Sequence, residues 1–152
     1  RIMLPKGSPT ERTRWKAIIH DLNVFKRSVQ KVVNQDPRQY EKVIRAYSLA
    51  KERKDRRVRV EKALIGSYES MRDLAVDLCG IQRLNNEIGN GASGAVANDL
   101  RVSNEFVSAA FYAAAETASI NVKYICDAKT VRRLTKEIDT IKSLYAKVKG
   151  NA

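Results

Sequence analysis

The chain is poor in the residues that most metal sites and nucleophilic sites require. Its 152 residues include only two cysteines, Cys79 and Cys126, and one histidine, His20. No Cys-x-x-Cys pair or cysteine–histidine cluster occurs, which excludes a structural zinc site, and a lone histidine argues against a Ser-His-Asp triad. Each cysteine lies in an apolar helical context. We therefore predict two buried free thiols, a pattern that favours a reducing compartment.

Long hydrophobic runs and alternating strand patterns are also missing. The least charged stretch, residues 106–125, contains Glu116 and Lys123, and its many alanines add little hydrophobic drive. We therefore predict no transmembrane segment. The chain begins at Arg1 and shows no signal peptide. We interpret this start as processing of a longer precursor, which fits removal of a mitochondrial leader, and the cytoplasm is the alternative compartment.

Positive charge is what the chain has in excess. It carries 29 Lys and Arg against 17 Asp and Glu, a net charge of +12, and 43% of its residues are hydrophobic, as in a folded globular domain. The net charge is +11 over residues 1–62, −4 over 63–127 and +5 over 128–152. Such a surface attracts phosphate backbones, anionic membranes or polyanionic ligands, unless it is simply a solvated face.

Helical periodicity accounts for the whole chain, which predicts one all-α domain over residues 1–152. Apolar residues at three- and four-residue spacing are clearest over 64–78 and 131–148. We predict a mostly antiparallel bundle of about five helices. The first begins at a capping box over 8–11 and runs to Val33, the second runs from Asp36-Pro37 to near Leu49, the third from about Val58 to a glycine loop, the fourth over 106–125, and the last follows Asp127.

The alanine-rich fourth helix is predicted to be the centre of this bundle. Its small side chains allow neighbouring helices to approach closely. Because this helix has so few large apolar groups, it needs partner helices on more than one side. We therefore expect self-association. The chain ends, 1–7 and 147–152, are predicted to fray. The alanines concerned are Ala109, Ala110, Ala113, Ala114 and Ala118.

A glycine-rich loop precedes this helix. A flexible loop that places polar groups at a helix entrance is typical of small-molecule sites, although an ordinary central helix can be built in the same way. The predicted ligand loop comprises Gly89, Asn90, Gly91, Ser93, Gly94 and Asn98.

Four short motifs occur in an order shared with a known family. They are Asp-Pro-Arg-Gln-Tyr-Glu-Lys-Val-Ile-Arg-Ala-Tyr at 36–47, Met-Arg-Asp-Leu-Ala-Val-Asp at 71–77, Gly-Asn at 89–90 and Asn-Val-Lys-Tyr-Ile at 121–125. This order resembles the formiminotetrahydrofolate cyclodeaminase and methenyltetrahydrofolate cyclohydrolase family. The resemblance implies a helical homodimer that acts on one-carbon folates. The chain departs from the family in lacking its N-terminal glycine-rich segment and apolar helix.

The resemblance implies a catalytic role for Asp99. Opening or closing a folate imidazoline ring requires proton transfer at nitrogen, which a carboxylate at a helix entrance can provide. The only ligand would be a tetrahydrofolate derivative, with no other cofactor and no metal. The family has a Ser-Asp pair where this chain has Asn98-Asp99, and Ser103 aligns equally well, which would leave no carboxylate there. An N-cap or solvated loop residue is the commoner role of such an aspartate.

The second hypothesis, which we prefer, is a non-catalytic cyclodeaminase-like subunit of a larger, RNA-containing mitochondrial assembly. Lys and Arg contacts to phosphates would explain the excess of positive charge, and the lack of interleaved aromatic residues predicts contacts to the backbone rather than to bases. An accessory subunit of a membrane complex and a solvated basic turn are the alternatives. The predicted contacts are Arg53, Lys54, Arg56, Arg57 and Arg59, followed by Arg132, Arg133 and Lys136.

Overall fold

The chain folds as an all-α bundle, as predicted, but with four helices rather than about five. The computed structural model describes residues 8–150, and that part of the chain contains no strand. None of its helices is long and apolar enough to cross a bilayer. The helices are α1 (Pro9–Tyr47), α2 (Arg56–Gly89), α3 (Gly94–Val122) and α4 (Ala128–Gly150).

Helix α1 joins the first two predicted helices into one. Its start is the expected capping box, in which the Glu11 N–H donates to Ser8 Oγ at 3.2 Å and the Glu11 carboxylate accepts the Ser8 N–H at 2.7 Å. Pro37 lies inside the helix, where a proline costs about 3 kcal/mol. Val32 and Ala46, on either side of it, are both buried in the same core. Packing before and after the proline therefore offsets its cost and keeps the helix continuous.

The centre of the bundle is α2, not the alanine-rich helix. Helix α2 packs against α1, α3 and α4, whereas α3 packs against α2 and α4 only. The alanine-rich helix buries Ala114 and Ala118, but it leaves Ala109, Ala110 and Ala113 exposed. The apolar stripe predicted on α2 is buried throughout and consists of Leu64, Tyr68, Met71, Ala75 and Leu78.

Helix α3 begins at Gly94, about three turns before the predicted start at residue 106. Ser93 is extended and Gly94 has φ +58°, a conformation that favours glycine, so the chain reverses direction there. The first turns of α3 face α2 with the polar Ser103 and Asn104 rather than with apolar side chains. Hydrophobic periodicity therefore could not locate this part of the helix.

Helix α4 closes the core through an aromatic stack. The rings of Phe111 and Tyr145 are 3.8 Å apart and nearly parallel, and both side chains are completely buried. The helix continues to Gly150, although residues 147–150 were predicted to fray. Two contacts hold this end: Asn86 Nδ2 donates to the Val148 carbonyl and Lys149 Nζ donates to Ser108 Oγ, both at 2.8 Å. The other predicted frayed residues, 1–7 and 151–152, lie outside the described chain.

The two cysteines differ in environment, so the prediction of two buried thiols is half wrong. Cys79 is 2% exposed, and burial raises its pKa to about 11, which keeps the thiol protonated and unreactive. Cys126 is exposed in the turn between α3 and α4. Its backbone N–H donates to the Glu61 carboxylate at 3.0 Å, so the backbone of this turn is held while the thiol faces solvent.

Candidate functional site

The predicted ligand loop joins α2 to α3 and faces solvent. Gly89 ends α2, and the Asn90 N–H donates to the Asn86 carbonyl at 3.2 Å, which closes the helix. Ser93 makes no side-chain capping bond. A Cβ atom placed at Gly89, Gly91 or Gly94 would meet no neighbouring atom within 4 Å. The loop therefore serves as a helix connection in this chain and forms no cradle against its own helices.

The two positions that could match the family's aspartate lie in different environments. Asp99 and its neighbour Asn98 lie in the first turns of α3 and are exposed. Ser103, one turn further on, is half-buried and accepts a hydrogen bond from Asn85 Nδ2 at 2.9 Å. The structure thus brings Ser103, but not Asp99, into the interface between α2 and α3.

A buried amide cluster, which the sequence analysis missed, lies at this interface. Gln82 and Asn85 are 1% and 5% exposed. Gln82 Nε2 donates to Asn86 Oδ1 at 2.9 Å and to Asn104 Oδ1 at 3.1 Å, and Asn85 Nδ2 donates to Asn104 Oδ1 at 2.9 Å. Tyr145 OH, from α4, donates to Gln82 Oε1 at 3.3 Å. The cluster therefore links three helices through hydrogen bonds between buried polar groups.

The amide cluster fixes the register of the bundle. An apolar side chain can slide along a helix groove at little cost, whereas a buried amide loses its partners and leaves unpaired polar groups behind. One sequence signal could have found it. Gln82 and Asn85 continue, at the same three- and four-residue spacing, the apolar stripe that ends at Leu78. Polar residues at buried positions of a helical stripe indicate such a network.

The basic turn between α1 and α2 is largely occupied by contacts within the chain. Arg53 and Arg59 both bind the Asp55 carboxylate, and their hydrogen bonds lower its pKa to about 2. Arg56 donates to the carbonyl groups of Tyr47 and Leu49, at 3.1 and 3.0 Å, and thereby caps the end of α1. The two remaining predicted contacts are Arg57, which lies 3.5 Å from Glu61, and Lys54, which is exposed.

The second predicted set of cations has a different character. Arg132, Arg133 and Lys136 are exposed on consecutive turns of α4, and within residues 8–150 none of them forms an ion pair. We call these three residues the α4 basic face. They line two shallow grooves that share Lys136 and Thr140, one along α4 itself and one between α4 and α2.

Arg72 and Glu137, which line the second groove, belong to a hydrogen-bond network between α2 and α4. Tyr68 OH donates to the Leu134 carbonyl at 3.0 Å and to Glu137 at 3.1 Å, and Arg72 donates to Glu137 at 2.8 Å. Burial and the neighbouring Glu137 charge raise the pKa of Tyr68. Burial alone would raise the pKa of Glu137, but the hydrogen bonds from Arg72 and Tyr68 outweigh it and the pKa is lowered. Glu137 is thus satisfied mainly by Arg72 and Tyr68, and Arg133 acts on it only through a weaker Coulombic interaction.

Within residues 8–150, no group of three His, Cys, Asp or Glu side chains could hold a metal ion. A family model described as formiminotransferase-cyclodeaminase matches residues 6–140. No curated protein matches the chain. The matched range contains all four motifs on which the sequence resemblance rests, and it includes α1, α2, α3 and the first half of α4. The chain therefore belongs to the formiminotransferase-cyclodeaminase family.

Proposed function

We propose that the protein is a non-catalytic, cyclodeaminase-like helical subunit that binds the phosphate backbone of RNA in a larger assembly. The observation that carries this proposal is the α4 basic face, in which Arg132, Arg133 and Lys136 present their charges outward. Unpaired cations on one rigid helix can contact phosphates without first breaking an internal ion pair. The mitochondrion remains the compartment that we propose.

The internal contacts of the other cations reverse the predicted order of importance. Arg53 and Arg59 would have to leave Asp55, and Arg56 would have to release the carbonyl groups that end α1, before contacting a phosphate. The α4 basic face carries no such cost. We therefore assign the main phosphate contacts to α4. The turn between α1 and α2 has a supporting role through the long-range electrostatic field of its cations.

Removing the α4 basic face is expected to weaken RNA binding and its dependence on salt. Each phosphate contact contributes a slope of about 0.7 to 0.9 in a plot of log affinity against log salt concentration. The triple variant Arg132→Ala/Arg133→Ala/Lys136→Ala should therefore reduce the slope by about 2 to 3. The measurement is a fluorescence titration with single- and double-stranded RNA at several salt concentrations.

The matched control removes the same charge from another helix. Lys16, Lys26 and Arg27 are exposed on α1, so Lys16→Ala/Lys26→Ala/Arg27→Ala lowers the net charge equally. If both triple variants lose the same affinity and slope, binding reflects net charge alone and the assignment to α4 is wrong. Sizing of the endogenous protein with and without ribonuclease then tests the assembly. A large particle that collapses on ribonuclease treatment supports the proposal, and a particle or free protein unaffected by it contradicts the RNA partner.

The second candidate function, a folate one-carbon enzyme, is favoured by the family match over residues 6–140. Its catalytic group would be Asp99, which has access to solvent but lies outside the amide cluster. If the protein catalyses cyclodeaminase or cyclohydrolase turnover through this group, Asp99→Asn should abolish activity, because an amide cannot exchange the proton. The matched control is Asp21→Asn, an exposed position on α1.

A spectrophotometric assay with formimino- and methenyl-tetrahydrofolate distinguishes the two functions. Under our proposal the wild-type protein shows no turnover of either compound. Turnover that only Asp99→Asn removes would overturn the proposal and establish the enzyme. Turnover that survives Asp99→Asn would also overturn the proposal, and it would exclude Asp99 as the catalytic group.

A further inference from the structure

A groove runs between the last turns of α1 and the first half of α2, and we call it the α1–α2 groove. Its apolar lining residues are Ala46, Leu49, Val58, Ala63 and Ile65. They are buried or half-buried, except for Val58, which is 66% exposed. The cationic lining residues are Lys42, Arg45, Arg59 and Lys62, and all four are exposed. The groove therefore combines a partly covered apolar lining with exposed positive charge.

The positions that line the groove follow helical spacing on both sides. On α2 they are four, three and four residues apart, at Val58, Lys62, Ile65 and Glu69. On α1 and the turn after it they are three, four and three residues apart, at Gln39, Lys42, Ala46 and Leu49. With 1.5 Å of rise per residue, the α2 side is about 16 Å long. Two helical faces of this length can accept a third helix of about three turns between them.

The positive charge of the groove is only partly neutralised within the chain. Arg45 and Arg59 each form an ion pair with an acidic residue four positions earlier. Lys42 and Lys62 come from different helices, and within residues 8–150 neither of them forms an ion pair. The carboxylates that line the groove are Glu61 and Glu69. The first of them already accepts the Cys126 N–H at 3.0 Å, so the balance of charge favours a negatively charged occupant.

We infer that the α1–α2 groove binds an acidic amphipathic α-helix of a partner protein. The apolar face of such a helix covers the apolar lining, and carboxylates on its two flanks reach Lys42 on one side and Lys62 on the other. Burial of apolar surface supplies the attraction, and the two lysines select the sign of the partner's charge. The inference goes beyond RNA binding and does not depend on it, because the groove and the α4 basic face lie on different helices.

The lining of the groove favours a protein helix over RNA. A phosphate backbone has no apolar face, so it would leave the apolar lining uncovered. Single-stranded bases could cover that lining by stacking, but stacking sites in proteins are aromatic side chains. None of the described residues that line the α1–α2 groove is aromatic. The groove and the α4 basic face are therefore expected to bind different classes of partner.

A synthetic peptide tests the chemistry of the occupant. The probe is a fluorescent, side-chain-stapled helix of about three turns, with leucines at i, i+3, i+4 and i+7 and glutamates on both flanks. One comparison peptide has lysine in place of glutamate, and another keeps the composition but distributes the leucines around the helix. At physiological salt, fluorescence anisotropy should show the acidic amphipathic helix binding about tenfold or more tightly than either. No binding, or equal affinity for all three peptides, would overturn the inference.

Variants of the protein locate the peptide. Val58→Glu and Lys42→Glu/Lys62→Glu should each weaken binding of the acidic helix by about tenfold or more, because they place negative charge beside its carboxylates. The matched controls are Val33→Glu, at a valine of α1 that is 65% exposed, and Lys16→Glu/Lys26→Glu, at exposed lysines of α1. Both controls should leave the affinity unchanged. If groove variants and controls lose the same affinity, the peptide responds to net charge and the groove is not its site.

Photocrosslinking identifies the occupant in the endogenous assembly. Benzoylphenylalanine in place of Val58 should crosslink to an acidic, amphipathic segment of another protein, whereas the same group in place of Val33 should not. Mass spectrometry of the crosslinked peptide reads out its sequence and its charge. A crosslink from position 58 to RNA, to a basic segment or to a second copy of this chain would overturn the inference, and so would the absence of any crosslink.

Discussion

Replacing Phe111 with alanine is expected to remove about 3–5 kcal/mol of unfolding free energy, the usual cost of deleting a buried aromatic ring. Phe111 is completely buried, and its ring stacks on Tyr145 at 3.8 Å and meets Tyr112 edge-on at 5.6 Å. The deletion leaves a cavity between α3 and α4 that these rigid neighbours cannot fill. It also leaves the Tyr145 ring without its stacking partner.

Denaturant unfolding followed by circular dichroism measures this loss as a lower midpoint at an unchanged m value. The matched control is Phe106→Ala, which removes the same ring from a position that is 73% exposed. At a concentration where the protein is monomeric, the control should change the free energy of unfolding by about 0.5 kcal/mol or less. Equal losses in the two variants would contradict the contrast in burial on which the core assignment depends.

Replacing Gln82 with glutamate is expected to cost about 3–5 kcal/mol at neutral pH, the range for an uncompensated buried charge. The side chains are nearly the same size, so the change creates no cavity. The Gln82 amide nitrogen donates to the Asn86 and Asn104 side-chain oxygens. A carboxylate in its place would face two acceptors at hydrogen-bond distance, and the Tyr145 hydroxyl alone cannot compensate its charge.

The cost of Gln82→Glu should depend on pH with a defined sign. Burial raises the pKa of the introduced carboxyl above its unfolded value of about 4.3, so the folded state binds the proton more tightly. The penalty is therefore smallest below about pH 4.3, where the neutral acid can donate one hydrogen bond, and grows as the pH rises. The control Gln30→Glu, at an exposed position of α1, should show no such trend. A penalty that does not change with pH would mean that the carboxylate reaches solvent.

Much of the core could be predicted from the sequence because its cause is local. The apolar stripes over 64–78 and 131–148 both follow helical spacing. The first is buried throughout, and the second is buried except at its two ends, Val131 and Val148, which are partly buried. The capping box at Ser8 uses residues within one turn of each other, and it forms as expected. The family match over residues 6–140 likewise depends on the order of residues and confirms the resemblance.

The amide cluster was less predictable from the sequence because its residues come from distant segments of the chain. The amide cluster joins Gln82 to Tyr145, 63 residues away, and Asn85 to Asn104, 19 residues away. Composition and spacing show that such groups exist, but only packing determines which of them meet. The charge count likewise ranks the basic turn between α1 and α2 above the α4 basic face, because it does not show which cations form ion pairs in the fold. Ion pairs with Asp55 are a property of the folded turn and not of the charge count.

Sequence alone determined the helical class, the buried stripes of α2 and α4 and the family, since periodicity and capping act over three or four residues. Tertiary structure decided that α1 continues through Pro37, that α2 rather than the alanine-rich helix lies at the centre, and that Ala113 faces outward. Each of these outcomes depends on which distant surface a helix packs against. A helix such as α3 has small residues on several faces, and burying any one of these faces contributes a similar free energy. Only the contacts of the whole bundle therefore select which face is buried.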